Sequence, residues 1–160
     1  MAERMTSSAH RAAGEWVVFL CCLLVGGTFL YASLGKIIDP AGFAKAVHNY
    51  RLLPAVLLHP FALLLPWLEA VVAVALILGV ARRGAALLAL AMTVMFTVAV
   101  GAALVRNLDI SCGCFHTDGG QAVGTSLLVR DIALLLVILV PLLSNYEGWS
   151  LVRLLRHRAA

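Results

Sequence analysis

Charge is scarce in this sequence. Of its 160 residues only 12% are Asp, Glu, Lys or Arg, against 62% hydrophobic, and the mean hydropathy is +1.00. A soluble domain carries about a quarter charged and about half apolar residues, so a water-soluble globular fold is excluded and an integral membrane protein is expected. Length is short as well. At about 20 residues per bilayer crossing there is room for four or five helices and none for a separate soluble domain. The chain also lacks a phosphate-binding loop, a nucleophile triad, a carboxylate pair suited to hydrolysis, and internal repeats. Its net charge of +4 is scattered over the segments between apolar runs. That pattern is a topology signal rather than a nucleic-acid surface, so no nucleic-acid partner is expected and the lipid bilayer is the first one.

What is present is a series of apolar runs. Trp16 to Lys36 reads as the first span. It is too long for a signal-peptide core, and Tyr31-Ala32-Ser33 is a poor cleavage site, so it is expected to be retained. Gly26 and Gly27 within it offer a seam for close helix packing. Asp39-Pro40 then signals a new helix, with Asp as N-cap and Pro at the first helical position. Phe43, Ala46, Val47 and Tyr50 fall on one stripe of it. A helix over 40–51 is too short to span and is expected to lie in the interface. Further spans are predicted over 61–80, 85–105 and 126–146, with Arg82-Arg83-Gly84 as a tight basic turn and 106–125 as a polar loop. The expectation is a single all-α domain over 1–160, an integral membrane four-helix bundle with an interfacial helix between spans one and two.

Counting basic residues orients it. Four spans put the N-terminal tail, the Arg82-Arg83 turn and the C-terminal tail on one side, with seven: Arg4, Arg11, Arg82, Arg83, Arg153, Arg156 and Arg158. Lys36, Lys45, Arg51, Arg106 and Arg130 are the five on the other. The positive-inside rule then places both termini in the cytoplasm and the 106–125 loop outside a bacterial inner membrane.

That loop carries Ser111-Cys112-Gly113-Cys114-Phe115-His116. Cys21 and Cys22 lie roughly 20 Å away across the membrane, against about 7 Å at most between the Cα atoms of a disulfide, so the two pairs cannot bridge each other. Cys21 and Cys22 read as buried small hydrophobes. Cys112 and Cys114 face an oxidising compartment, where exposed thiols react. Three readings stay open. A disulfide across a single glycine closes a tight ring, and strain and exposure together make such a bond labile and able to exchange. It can equally be a static clip. Cys112, Cys114 and His116 also alternate as S, S and N ligands suited to a soft ion such as Cu(I), although no fourth ligand is evident.

Glu69 is the costly residue. It falls about 12 Å into its span counted from Phe61, where a carboxylate must face the bundle and be paired or protonated. Lys36, Arg130 and Asp131 belong to the same outer half, so a buried polar cluster is expected beneath the cysteine loop. Two roles are open for Glu69: a tie from its helix to Lys36 or Arg130, which is the first reading, or a relay for the proton that accompanies thiol oxidation. Tyr50-Arg51 reads as an interfacial anchor or a docking edge. His48 and His59 are given no role.

Four segments together resemble the methylamine-utilisation MauE family, within the DoxX-like four-helix membrane proteins. They are Lys36-x-x-Asp39-Pro40-x-x-Phe43, Asn49-Tyr50-Arg51-Leu52-Leu53-Pro54, Leu65-Pro66-Trp67-Leu68-Glu69 and Asp109-Ile110-Ser111-Cys112-Gly113-Cys114-Phe115. The resemblance runs from about Trp16 to Leu143. One departure is His116, where the family commonly has Gly. The resemblance implies oxidative maturation of periplasmic proteins beside a thioredoxin-like partner or within a larger membrane redox complex. Through DoxX-like relatives and the vitamin K epoxide reductase type of disulfide-forming enzyme it also implies a quinone. On this reading Cys112 and Cys114 are the redox pair, Glu69 a proton relay, and Lys36, Glu69 and Arg130 the groups near the quinone. Whether the chain is itself a thiol-disulfide oxidoreductase, or a non-catalytic accessory subunit whose disulfide is structural, stays open at this stage.

Overall fold

The computed structural model of the protein describes residues 2–106 and 125–144, with side chains from residue 13 onward. Among the described residues there are five helices and no strand: α1 (Ala2–Ile38), α2 (Pro40–Asn49), α3 (Ala55–Leu78), α4 (Arg82–Val105) and α5 (Thr125–Leu143). Four of these are long and apolar enough to cross a bilayer, the stretch Ala13–Ile38 of α1 together with α3, α4 and α5. The chain is a multi-pass membrane protein, and the expected all-α four-span bundle is the architecture observed.

Two helix pairs make the bundle. α1 packs most closely on α3 and α4 on α5, while α1 against α5 and α3 against α4 close the ring. The outer surface is apolar, as lipid requires: Leu20, Leu64, Val98 and Leu136 are all more than half exposed. Gly26 shows why α1 and α3 come so near. A Cβ there would stand 2.7 Å from Ile77 Cγ1 and 3.0 Å from the Ala73 carbonyl oxygen. Gly27 differs from expectation, because a Cβ at that position meets nothing within 4 Å. Of the two glycines, Gly26 alone is the seam.

α2 starts as the sequence indicates. The Asp39 side chain accepts a 2.9 Å hydrogen bond from the Gly42 N–H, and Pro40 occupies the first turn. Its stripe faces inward, with Phe43, Ala46 and Tyr50 buried, and the helix rests chiefly on α3.

Several boundaries differ from those predicted. α1 is helical without a break from Ala2, so the polar segment before Trp16 continues the first span's helix rather than forming a separate tail. α3 begins at Ala55, six residues before Phe61, and carries Pro60 and Pro66 inside it. Each proline removes a single backbone donor, and neighbouring helices in a membrane bundle tolerate that loss. The turn between α3 and α4 is 79–81, not 82–84: Gly79 takes φ 69° and Ala81 φ 45°, and the Val80 N–H donates back to the Ala75 carbonyl at 2.9 Å. Arg82 and Arg83 are therefore the first residues of α4. Both donate to the Ser144 carbonyl, at 3.0 and 3.4 Å, so that turn and the end of α5 share one end of the bundle. At the other end Arg106 Nη1 donates to the Tyr50 carbonyl at 3.0 Å, joining the end of α4 to the end of α2.

Candidate functional site

The costly carboxylate of α3 finds its partner on α1. Lys36 Nζ donates to both oxygens of Glu69, at 2.6 and 2.8 Å, and the two side chains are 5% and 11% exposed. Of the two ties open to Glu69, the one made is to Lys36. α2 covers this pair: Lys36 Nζ lies 5.1 Å from the centre of the Phe43 ring, within cation–π range. One buried charge thus fastens α1, α2 and α3 together. Because α3 starts at Ala55, Glu69 sits about 21 Å along its helix rather than 12 Å, and the long Lys36 side chain reaches inward to it.

A second ion pair belongs to α5 alone. Arg130 Nε and Nη2 donate to Asp131 Oδ1 at 3.3 and 3.0 Å. Asp131 is 3% exposed, whereas the Arg130 side chain is 36% exposed. Asp131 Oδ2 has no hydrogen-bond partner among the described residues.

All four charged residues line one cavity of about 500 Å3 between α1, α3, α4 and α5. The rest of its wall is almost wholly apolar, including Phe29, Leu65, Met92 and Phe96. Leu24 and Lys36 both line it, and they stand roughly 18 Å apart along α1 at 1.5 Å per residue, so the cavity is long, with its charge at the Lys36 end. Thr28 and Thr93 also line it, but their hydroxyls donate to the Leu24 and Ala89 carbonyls of their own helices, each at 2.8 Å. Leu65, Met95 and Phe96 separate this cavity from a smaller apolar one of about 340 Å3 beneath α2.

Tyr50 borders the smaller cavity, and its ring meets Phe96 edge-on at 6.3 Å. Burial pushes its phenol up to about 12, with the Asp131 carboxylate adding to the rise and the Arg130 guanidinium opposing it. Tyr50 therefore feels the α5 pair electrostatically. That goes beyond the anchor or docking edge read from its position after α2.

Of the residues singled out in sequence, Lys36, Glu69 and Arg130 come together around the cavity, and Asp131 joins them. Cys112, Cys114 and His116 lie outside the described residues. Cys21 and Cys22 are free thiols. Cys22 is buried in the core with Val18 and Val25, as a small hydrophobe would be, and Cys21 is half-buried. Sequence reasoning missed the Phe43 ring over Lys36 and the single open oxygen of Asp131, for which no pattern of spacing gives a signal.

Chemically, the site offers a long apolar chamber with cationic and anionic groups at one end. This suits a membrane-dissolved molecule with an apolar body and a small polar head.

A family model described as methylamine utilisation protein MauE matches residues 14–144. The curated "Methylamine utilization protein MauE" of Methylophilus methylotrophus is 35% identical over 132 residues, covering 79% of this chain and 70% of that protein. The proteins of the same name from Methylorubrum extorquens and Paracoccus denitrificans are 39% and 35% identical over 106 and 107 residues, each covering 66% of this chain. The matched stretches span 57% and 58% of those two relatives. No solved structure matches.

Proposed function

The chain belongs to the methylamine utilisation protein MauE family, and from that membership we propose that it is a membrane thiol-disulfide redox protein acting in methylamine utilisation. Cys112 and Cys114 are the exchanging pair, on the periplasmic side of the inner membrane with both termini in the cytoplasm. A thioredoxin-like partner enters with its two thiols reduced. One thiolate attacks the Cys112–Cys114 disulfide, a mixed disulfide forms, and the partner's second thiol resolves it. The partner leaves oxidised, and Cys112 and Cys114 are left as two thiols. Restoring them requires removal of two electrons and two protons, which a quinone accepts when bound.

The observation that carries this reading is the cavity itself, an apolar chamber of about 500 Å3 with Lys36, Glu69, Arg130 and Asp131 at one end. A static anchor needs no such chamber among its spans. Its size and lining fit a prenylated ring, with Lys36, Glu69 and Arg130 as the residues that would surround the head. Buried charge within a membrane is costly and marks function by default.

Thiol trapping in cells tests the proposal, with and without a periplasmic thioredoxin-like protein. The expected result is a mixture of reduced and oxidised Cys112/Cys114, and a trapped mixed disulfide in a Cys114→Ser variant. If the pair is always oxidised and resists mild reductant, while a Cys112→Ser/Cys114→Ser variant supports growth on methylamine, the chain is an accessory subunit with a structural clip. Bound copper that is lost in His116→Ala would instead identify a soft-metal site.

A further inference from the structure

The polar groups of the large cavity are not equally committed. Both oxygens of Glu69 accept from Lys36. The hydroxyls of Thr28 and Thr93 are turned to their own helices. Asp131 Oδ1 accepts twice from Arg130. Asp131 Oδ2 is the exception, a carboxylate oxygen on a residue 3% exposed, lining the cavity and without a donor among the described residues. A buried acceptor in this state favours any ligand that brings it an O–H or N–H.

We propose that Asp131 Oδ2 is the recognition acceptor for the hydroxyl of a membrane-dissolved hydroquinone held in this cavity, so that the site binds the reduced ring more tightly than the quinone. The ligand class rests on the quinone-linked reading given above, while the preference for the reduced form comes from Asp131. A carboxylate only accepts hydrogen bonds, and so does a quinone carbonyl. Placing the two together leaves two acceptors face to face. A hydroquinone hydroxyl instead donates to Oδ2 and completes the pairing. Both oxygens of Glu69 are already engaged by the Lys36 ammonium, whereas Asp131 Oδ2 is engaged by no donor among the described residues.

The consequence is thermodynamic. A site that binds the reduced form more tightly raises the midpoint potential of the bound couple, by about 30 mV for each tenfold ratio of the two affinities in a two-electron couple. A higher potential on the bound ring favours the withdrawal of electrons from a dithiol. The reacting thiols need not touch Asp131 for this to hold.

The test is equilibrium binding to the full chain in phosphatidylcholine nanodiscs under anaerobic conditions. Three probes are compared: a decyl-substituted benzohydroquinone, the corresponding quinone, and the hydroquinone dimethyl ether, which keeps the shape but has no donor. Wild type is expected to bind the hydroquinone about tenfold or more tightly than either other probe, the worth of one hydrogen bond to a charged acceptor. In Asp131→Asn the guanidinium of Arg130, which only donates, holds the amide oxygen in the place of Oδ1. The NH2 group then stands where Oδ2 was, and the ratio of hydroquinone to quinone affinity falls to about one.

A Cys112→Ser/Cys114→Ser variant keeps the wild-type ratio, because recognition does not involve the thiols. Failure of thiol exchange in cells is therefore separable from failure here. Equal wild-type binding of all three probes overturns the inference, as does an Asp131→Asn variant that keeps the ratio. Binding of none of them does so too, and leaves the cavity to lipid chains. Should Asp131→Asn fail to fold, the three-probe comparison on wild type still decides.

Discussion

Two ion pairs line the same cavity, and they are built in opposite ways. Lys36 and Glu69 come from different helices, are both buried, and use both carboxylate oxygens, with the Phe43 ring beside the ammonium. Arg130 and Asp131 are neighbours on α5; one is a third exposed, the other buried, and a single oxygen does all the accepting. The first pair is a finished structural joint. Replacing either partner leaves an ion stranded between helices. The second joins two residues of one helix, and it presents an open valence to the cavity. The contrast separates a charge that builds the chamber from a charge that serves what enters it.

Amide substitutions break this comparison most directly. Glu69→Gln removes the charge opposite a buried ammonium and is expected to cost about 3–5 kcal/mol, the usual loss on breaking one side of a buried pair. A Lys36→Met/Glu69→Leu double variant removes both charges and should recover most of that loss. Asp131→Asn keeps the acceptor for Arg130 and is expected to change stability by less than about 1 kcal/mol in the absence of ligand. Unfolding in mixed detergent micelles measures all three. If Asp131→Asn proves as damaging as Glu69→Gln, the two pairs are alike and the contrast is lost.

The seam that brings Lys36 to Glu69 gives the next effect in size. Gly26→Val pushes a side chain into Ile77 and the Ala73 carbonyl, an overpacking expected to cost about 1–3 kcal/mol. Gly27→Val points into open space and should be near neutral. Measured together, they show whether α1 and α3 must be this close for the joint to form. Gly26→Val is expected to destabilise the protein much less once Lys36→Met/Glu69→Leu has already removed the joint.

How much of this was legible in the sequence follows from range. Local signals read well: the Asp39-Pro40 start of α2, its Phe43-Ala46-Tyr50 stripe, and the four apolar runs all depend on neighbouring residues. Expectation placed a costly carboxylate at Glu69 and required a partner for it. Choosing Lys36 over Arg130 needed the helix packing, because those residues are far apart in the chain. The start of α3 lies six residues before the expected Phe61, with Pro60 inside the helix, because inside a membrane bundle the lost bond is tolerated. The turn falls at 79–81 rather than at the two arginines because Gly79, in the left-handed conformation at the end of α3, is the ordinary signature of a helix stop. Asp131 was grouped with the outer charges, but nothing in a sequence distinguishes one carboxylate oxygen from the other.

Tyr50 provides the finest probe of the difference between the pairs. Its phenol is raised to about 12, first by burial and then by the Asp131 carboxylate, with Arg130 acting against them. In the unfolded chain the same group titrates near its ordinary value of about 10. Between about pH 10 and 12 the folded protein therefore holds a proton that the unfolded chain has released. The stability this contributes is complete below pH ~10 and is lost as the pH rises through ~12. An alkaline titration should show a tyrosinate absorbance rising near pH 12, and Tyr50→Phe should remove that late component. Asp131→Asn removes the second cause and leaves the first, so the late component should move down without reaching the ordinary value. Neutralising the other pair in Lys36→Met/Glu69→Leu should leave it where it was, since neither residue is among the causes of the shift. If both variants move Tyr50 equally, the two pairs act as one charged cluster, and the division between a closed joint and an open acceptor does not hold.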